Sequence, residues 1–383
     1  MRSDQGTELT VPRYGHSALA DLTPALLASL GVAGAPNALD LPPTERVCLL
    51  LIDGLGQELL ARHPGKAPYL TSLLTAGAGR SARVLSAGFP STTSVSMASV
   101  GTGLPPGQHG MVGYTTLVPD SGELFNALRW DQPVDPLHWQ PHPTVYQRAA
   151  EAGLHTASVG RTRFADSGLT QATQRGAAYL GSDLVVGQVA LAAEACRQAP
   201  ALVFVYHDEL DFTGHQHGCE SRQWRDALVQ ADRLAERLAA ALPSGTAFYV
   251  TADHGMVDVL WRDSIDVDDI PELRDGVVLI GGEPRARHVY TRPGAAAEVA
   301  AAWRQWLTGR ALVLERERAI AEGWFGPVVT AAARARIGDV VAMARGRGAI
   351  LARRTEPRAS SMVGMHGSMT DAERLVPLLR AEQ

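Results

Sequence analysis

Cysteine is scarce in this sequence of 383 residues, which contains only Cys48, Cys196 and Cys219. No two of them form a CxxC pair, so the sequence provides neither a thiolate metal site nor a disulfide framework. Such sparse cysteine is typical of proteins from a reducing compartment. We therefore expect a cytoplasmic location.

Long apolar segments are also missing. No stretch of about 18 apolar residues, the length needed to cross a bilayer as a helix, occurs in the sequence. The N-terminal segment Met1–Pro12 carries Arg2, Asp4 and Glu8 where a signal peptide needs an apolar stretch. The sequence therefore predicts neither export nor a membrane span.

Charge of one sign is not concentrated anywhere in the chain. The 35 basic and 40 acidic residues give a formal net charge of −5 without a long run of either sign. This balance gives no electrostatic reason to expect a nucleic-acid-binding surface. The 45% hydrophobic content is sufficient for a large core, and nothing in the composition indicates the oligomeric state.

Short apolar runs of strand length recur along the chain. They alternate with segments of helical periodicity such as Arg222–Leu242. This alternation predicts an α/β fold with a central, mostly parallel sheet and helices on both faces. The runs are Val47–Ile52, Thr156–Val159, Ala201–Tyr206 and Ala247–Thr251.

The character of the sequence changes between residues 261 and 338. An acidic loop is followed by a potential strand pair near Val277–Ile280 and Arg287–Tyr290 and by a potential helix over Ala295–Leu307. We expect an inserted α+β subdomain at 261–338, with 1–260 and 339–383 forming the core. The apolar segments Gly338–Met343 and Ala349–Leu351 are expected to return to that core.

The predicted strands end in chemically unusual residues. Ligands of parallel sheets gather at the carboxyl ends of the strands, where Asp53 follows the first run and Asp211 and the pair Asp253–His254 follow two later ones. His215 lies four residues after Asp211, a spacing that places both on one face if the segment forms a helix. Asp and His side chains are ligands that zinc readily accepts.

Each of these residues has an ordinary structural explanation when it is considered alone. Asp53–Gly54 is typical of a turn, and His366, between Gly364–Met365 and Gly367, is typical of a loop. An ordinary structural role would, however, have to be assumed independently for the residues at every strand end. Together the residues favour a divalent metal site made of Asp53, Asp211, His215, Asp253, His254 and His366.

A candidate nucleophile lies in the segment Gly88–Thr93, which leads through Pro90 into a short potential helix. A hydroxyl at this point sits at the positive end of the helix dipole, beside free backbone amides that suit a phosphate group. Thr92 and Thr93 both qualify. The alternative is that one of them merely caps the helix.

With these segments in view, the chain resembles the type I phosphodiesterase/nucleotide pyrophosphatase family of the alkaline phosphatase superfamily. The matching segments occur in the family's order and span most of the chain. The resemblance implies the superfamily's α/β sandwich around a central sheet. The segments are LLIDGLG (50–56), FPSTTSVSMASVGTGLPPGQHG (89–110), DELDFTGHQHG (208–218), VTADHGM (250–256) and GMHGS (364–368).

The resemblance also implies roles for individual residues. Thr93 is the position of the family's nucleophile, which would hydrolyse phosphodiester or pyrophosphate bonds of a small phosphorylated substrate through a phospho-threonine intermediate. Two divalent ions are implied, most simply zinc, with manganese or iron compatible with the same ligand types. The first ion's ligands would be Asp53, Thr93, Asp253 and His254, and the second ion's would be Asp211, His215 and His366.

One position departs from the family pattern. Tyr114 stands about where members commonly have an asparagine that contacts a phosphate oxygen. A phenol can donate one hydrogen bond, so Tyr114 is a candidate for the same contact. Arg161 and Arg163, which follow the run Thr156–Val159, could also bind phosphate, or they could be an ordinary surface pair.

Several related activities remain as alternatives. A sulfatase would need Cys or Ser in a CxPxR-like segment, and no cysteine lies near Thr93. The metal-dependent phosphoglycerate mutases use a serine. Phosphonoacetate hydrolase shares the threonine, and phosphomonoesterase activity is a further possibility. Outside enzymes, the chain could be a metal-binding module without turnover, although all seven site residues are present.

Overall fold

A computed structural model describes residues 10–76 and 82–382, so most of Met1–Pro12, where the sequence predicts no signal peptide, lies outside the described residues. Seventeen strands and fifteen α-helices are present in this part of the chain. The strands are β1 Arg46–Ile52, β2 Ala82–Ser86, β3 Thr115–Val118, β4 Glu123–Asn126, β5 His155–Gly160, β6 Ala178–Gly181, β7 Ala201–His207, β8 Thr246–Thr251, β9 Val257–Asp258, β10 Ile265–Asp266, β11 Val277–Glu283, β12 Ala286–Thr291, β13 Ala311–Glu315, β14 Val340–Ala344, β15 Ile350–Leu351, β16 Gly364–Met365 and β17 Leu375–Glu382. The helices are α1 Leu22–Ser29, α2 Gln57–Arg62, α3 Pro68–Ala76, α4 Thr93–Thr102, α5 Pro106–His109, α6 Pro136–Trp139, α7 Val145–Glu151, α8 Gly168–Gln174, α9 Val185–Ala195, α10 Glu209–His217, α11 Arg222–Ala241, α12 Ala296–Trp306, α13 Arg316–Ala321, α14 Ala331–Arg336 and α15 Asp371–Arg374.

The central sheet has seven strands in the order β2-β17-β8-β1-β7-β5-β6. The four apolar runs of the sequence form its middle, where β1 pairs in parallel with both β7 and β8, and β5 pairs in parallel with β7. Val47 to Ile52 are all buried, as expected for a strand that is covered on both faces. The predicted mostly parallel sheet is confirmed.

Helices cover this sheet, as the amphipathic pattern of the sequence predicts. The longest, α11, packs against α3, α9 and α10. Its apolar residues, including Trp224, Leu228 and Leu238, are buried. Its N-terminus is capped by the Ser221 hydroxyl, which accepts a hydrogen bond from the Trp224 amide at 3.0 Å.

The last strand, β17, lies between β2 and β8 and is antiparallel to both. It is the only antiparallel strand among the seven of this sheet, and the sequence pattern did not predict it. The chain enters it directly after α15. The end of the described chain is therefore an interior strand of the core.

A second sheet of four strands, in the order β11-β12-β14-β13, lies in the C-terminal part of the chain. The expected strand pair is β11 and β12, and the expected helix is α12. Gly338–Met343 and Ala349–Leu351, which are expected to return to the core, contribute β14, which pairs with β12 and β13 of this second sheet, and β15, which pairs with β10. The division at 261–338 stays a prediction.

A buried ion pair ties this second sheet to the core. Arg285, in the turn between β11 and β12, donates from Nε and Nη2 to the two carboxylate oxygens of Glu373 in α15, at 2.9 and 2.6 Å. Both side chains are fully buried. Glu373 also accepts a hydrogen bond from the Ser368 amide at 3.0 Å, which fixes the segment just after His366.

No α-helix among the described residues is both long and apolar enough to cross a membrane.

Candidate active site

Three neighbouring strands bring acidic residues to one edge of the central sheet. Asp53 follows β1, and α10 with Asp211 begins two residues after β7, on one side of β1. Asp253 and His254 follow β8, on its other side. Because parallel strands end at the same edge, residues far apart in sequence converge there.

Thr93 is the first residue of α4, and Thr92 is the residue that precedes the helix as its N-cap. The Ser96 hydroxyl, one turn further on, donates to the backbone carbonyl of Asp253 at 2.8 Å. This bond holds the start of α4 against the end of β8. The first turn of a helix leaves backbone N–H groups without acceptors inside the helix, so amides accompany the Thr93 hydroxyl.

The first cluster surrounds Nε2 of His254. The Thr93 hydroxyl oxygen lies 3.2 Å from this nitrogen. Carboxylate oxygens of Asp253 and Asp53 lie 3.3 and 3.5 Å from it. The other oxygen of Asp253 accepts hydrogen bonds from the amides of Gly54 and His254, at 3.1 and 2.9 Å, which fixes the orientation of the carboxylate.

The second cluster contains Asp211, His215 and His366. Nε2 of His215 lies 3.3 Å from Nε2 of His366 and 3.3 Å from a carboxylate oxygen of Asp211. The predicted four-residue spacing on one helix face is confirmed, because Asp211 and His215 both lie in α10. The two clusters touch where the ring of His366 stacks on that of His254.

All three histidines are oriented by backbone carbonyls. Nδ1 lies 2.9 Å from Gly255 O in His254, 2.8 Å from Gly364 O in His215 and 2.9 Å from Ser91 O in His366. A carbonyl only accepts, so each Nδ1 must carry the proton. In the neutral form of each ring the lone pair of Nε2 then points into the clusters, as in metal-binding histidines.

The spacing of the donor atoms fits metal ions. Ligand atoms that share a tetrahedral ion at bonds of about 2.0–2.2 Å are roughly 3.3–3.6 Å apart, close to the separations above. One carboxylate oxygen each of Asp53, Asp211 and Asp253 is buried without a hydrogen-bond partner. Buried oxygens of this kind need compensation. Two overlapping groups of donor atoms, one of Asp53, Asp253 and His254 and one of Asp211, His254 and His366, are compact enough to hold an ion.

The charges of the side chains in the two clusters also favour binding of cations there. Burial, together with repulsion from Asp253 and Asp211, raises the pKa of Asp53 well above its usual range. Burial would raise the pKa of Asp211 too, but His215 and the other two histidines bring it below its usual range. Burial and the neighbouring His254 keep the pKa of His366 well below its usual range. A neutral His366 is the form that binds a metal.

Two residues beside the clusters were missed in the sequence. The Tyr206 hydroxyl donates a hydrogen bond to Asp53, but Tyr206 reads as one more apolar residue of the β7 run. Glu283, at the end of β11, hydrogen-bonds Thr92, and burial raises the pKa of Glu283 to about 8. One carboxylate oxygen of Glu283 lies 3.9 Å from Nδ1 of His366. Only its position in an apolar segment could have marked Glu283 as unusual.

The three candidate substrate contacts are placed less favourably. Arg161 donates to Asp208 at 2.7 Å and also pairs with Glu209, and Arg163 pairs with the same Asp208. Both guanidinium groups are therefore engaged by carboxylates. Tyr114 directly precedes β3, and its carbonyl accepts a hydrogen bond from the Ala127 amide at 3.0 Å. A role for these residues in binding phosphate stays a prediction.

A cavity of about 180 Å³ opens beside the clusters. Thr93, Asp53 and Asp211 are among the residues that line it, together with residues of α4, α8, α10, β5 and the loop after β4. Tyr114, Arg161 and Arg163 are not among its described lining residues. The cavity therefore adjoins the Thr93 side chain.

The class of protein follows from the match to a known family, which makes the chain a phosphoester hydrolase of the alkaline phosphatase superfamily. The profile of the family described as type I phosphodiesterase/nucleotide pyrophosphatase matches residues 47–369, which is most of the chain. The chain belongs to this family, and the predicted resemblance is confirmed. Members of the family generally depend on divalent metal ions.

Solved structures agree on the fold. Murine ectonucleotide pyrophosphatase/phosphodiesterase 5, an inactive variant in complex with AMP, is 21% identical, with 87% of each chain covered and a TM-score of 0.69. The human enzyme is 20% identical, with 88% of this chain and 87% of that chain covered and a TM-score of 0.70. Phosphonoacetate hydrolase from Sinorhizobium meliloti 1021, in complex with phosphonoformate, is 20% identical over 88% and 90%, with a TM-score of 0.67. At these identities the likeness establishes the fold alone.

Proposed function

We propose that the protein is a two-metal hydrolase that cleaves phosphodiester or pyrophosphate bonds through a phospho-threonine intermediate on Thr93. One observation carries this proposal. Three imidazole Nε2 atoms and three unpartnered carboxylate oxygens converge beside a single threonine hydroxyl at the start of a helix. Family membership supports the same reaction class.

The chain would hold the two ions with separate sets of residues. Asp53, Thr93, Asp253 and His254 would bind the first, and Asp211, His215 and His366 the second. When bound, such ions lower the pKa of a coordinated hydroxyl and neutralise charge on the departing oxygen. Zinc is the ion we expect, because imidazole and carboxylate ligands in near-tetrahedral spacing suit it.

Thr93 performs the bond-forming step. Its oxygen attacks phosphorus, its proton passes to solvent, and the bond from phosphorus to one ester oxygen breaks, so that the first alcohol leaves after taking a proton from water. Water then attacks the phospho-threonine, restores the Thr93 hydroxyl and releases the second product as a phosphate monoester. The amides at the start of α4 stabilise the phosphoryl oxygens in both steps.

Hydrolysis of bis-4-nitrophenyl phosphate by the purified protein tests this proposal. We expect activity that a chelator abolishes and that added zinc or manganese restores. Thr93→Ala should reduce kcat by several orders of magnitude, because nucleophile and ions act as a unit. Thr92→Ala is the matched control: it removes the neighbouring hydroxyl and should keep most of the activity.

The other outcomes distinguish the alternatives. Faster turnover of a monoester or of phosphonoacetate than of any diester would indicate a phosphomonoesterase or a phosphonoacetate hydrolase. Bound metal without turnover of any of these compounds would indicate a binding module. Equal loss of activity in Thr92→Ala and Thr93→Ala would contradict the assignment of Thr93 as the nucleophile.

A further inference from the structure

We propose that the cavity beside Thr93 takes an uncharged, apolar ester group about the size of one aromatic ring. This inference rests on the proposed function and names its substrate class: phosphoesters of small apolar alcohols rather than nucleotide polyphosphates or carboxylated phosphonates. The cavity reaches the nucleophile itself, since Thr93 and Asp53 form part of its wall.

Six apolar side chains line the cavity, and its charged lining residues, Asp53, Asp208 and Asp211, are all acidic. None of the described lining residues is Lys, Arg or His, so a second anionic group on the substrate meets no cation inside the cavity. Removing an apolar group from water into such a wall is favourable, whereas burying an unpaired charge there is costly. The apolar lining residues are Met97, Leu128, Val159, Phe164, Leu169 and Phe212.

The hydroxyl groups in the wall are largely engaged within the protein. Ser158 donates to Gln174, and Ser167 donates to Thr170 at 3.0 Å. Tyr179 donates to the carbonyl of Arg161 at 2.8 Å, and Tyr206 donates to Asp53. These four hydroxyls are therefore not available to donate to a ligand, so shape and apolar contact would mainly select it.

The arginines closest in sequence to this wall are already neutralised. Asp208 pairs with both Arg161 and Arg163, and the Arg163 guanidinium lies 4.7 Å from the ring centroid of Phe164. A carboxylate or second phosphate on the substrate would have to displace Asp208 to gain either cation. That competition disfavours doubly anionic substrates.

The volume limits the size of the group. Pockets for drug-sized ligands measure about 300–1,000 Å³, whereas an apolar cavity of about 150 Å³ is known to hold a benzene ring. At about 180 Å³, the cavity suits a single ring or a short alkyl chain. A complete nucleoside would not be enclosed.

Inhibition by phosphonates, each with one organic group on phosphorus, tests this proposal. We expect phenylphosphonate to inhibit hydrolysis of bis-4-nitrophenyl phosphate with a Ki at least tenfold below that of methylphosphonate. Phosphonoacetate should bind no more tightly than methylphosphonate. Equal Ki values for the phenyl and methyl compounds, or tightest binding of phosphonoacetate, would overturn the proposal.

Variants at the mouth of the cavity sharpen the test. Leu128 and Phe212 are 42% and 46% exposed, so the fold should tolerate their replacement. Leu128→Ala and Phe212→Ala should weaken phenylphosphonate several-fold and leave methylphosphonate unchanged. Leu137→Ala, at an exposed leucine outside the described lining, is the matched control and should change neither Ki.

A gain of binding provides an independent readout. Leu128→Arg supplies the missing cation and should lower the Ki of phosphonoacetate about tenfold while raising the Ki of phenylphosphonate.

The experiments distinguish failure of the proposed function from failure of the cavity proposal. If no hydrolysis is detected, the proposed function is contradicted. The phosphonate affinities are then measured by calorimetry on the metal-loaded protein. If hydrolysis depends on Thr93 but the phosphonates show no preference, only the cavity proposal fails.

Discussion

The imidazole rings of His254 and His366 stack with their centroids 3.6 Å apart and their planes inclined by 17°. One ring belongs to the cluster around Thr93 and the other to the cluster around Asp211. The two clusters are therefore in direct contact through these two rings. Adjacent clusters are what a site for two ions about 3.5–4 Å apart requires.

The first prediction concerns the number of ions. Wild-type protein should carry two divalent ions per chain, measured by elemental analysis after gel filtration. Asp53→Asn and Asp211→Asn should each carry about one, because each removes a charged donor from a different cluster. Asp208→Asn, an acidic residue three positions before Asp211 and outside both clusters, is the control and should keep two. Two ions in all three variants would contradict the assignment of ligands.

The second prediction concerns Tyr206. Its hydroxyl donates to Asp53, and hydrogen bonds of this kind to a metal ligand typically contribute about 10–100-fold to metal affinity or activity. Tyr206→Phe keeps the ring and should raise the metal concentration that half-restores activity by that factor. Because the hydroxyl only orients Asp53, kcat at saturating metal should change much less. An unchanged metal requirement would show that this bond does not position Asp53.

The third prediction concerns pH and His288, a buried residue of β12. Its Nε2 lies 2.9 Å from Val112 O, and its Nδ1 accepts a hydrogen bond from the Gly338 amide at 3.1 Å. The ring is therefore neutral and has no free position for a second proton. Burial lowers the pKa of His288 to about 4, although the bond to Val112 acts in the opposite direction.

The sign of the pH effect follows from these pKa values. In the unfolded chain the histidine titrates near 6.5, so between about pH 6.5 and 4 the unfolded state binds a proton that the folded state does not. The free energy of unfolding then falls as the pH falls, by about 3 kcal/mol in all from this residue. Below about pH 4 the folded state binds the proton too.

His288→Gln isolates this contribution. The variant should be less stable than wild type at pH 7, because a flexible amide replaces a rigid ring that bonds both Val112 O and the Gly338 amide. This difference in stability should narrow as the pH falls to 4. Urea denaturation of both proteins in chelator at pH 7, 5.5 and 4.5 measures this difference while keeping metal binding out of the comparison. The prediction is contradicted if the difference in free energy of unfolding between the two proteins is the same at all three pH values.

The parallel core could be predicted because each buried strand leaves a local signal. Val47–Ile52 and Ala201–Tyr206 are continuous apolar runs, and their covered positions in the sheet require that pattern. The same argument brought Asp53, Asp211 and Asp253 together, since parallel strands end at one edge. The choice between Thr92 and Thr93 needed the family pattern, because both have the same chemistry and adjacent positions.

The remaining features depend on contacts that leave no local signal. Val340–Ala344 is an apolar run like those of the core, and only its pairing with β12 and β13 assigns it to the second sheet. Glu283 reaches Thr92 and the neighbourhood of His366 from a strand of that sheet, about which the spacing of the motifs says nothing. The sequence gives no sign of the contact made by Tyr206, because aromatic residues are common in buried strands.

The interior position of β17 has a consequence for biosynthesis. During translation, β2 and β8 are made long before the strand that joins them, so each exposes an unpaired edge to other chains until Leu375–Glu382 emerges. Closing this gap is a contact between distant parts of the chain, which is slow to form. Nascent molecules are thus most vulnerable to aggregation just before synthesis of the sheet is complete, and premature termination ahead of β17 would leave that vulnerability permanent.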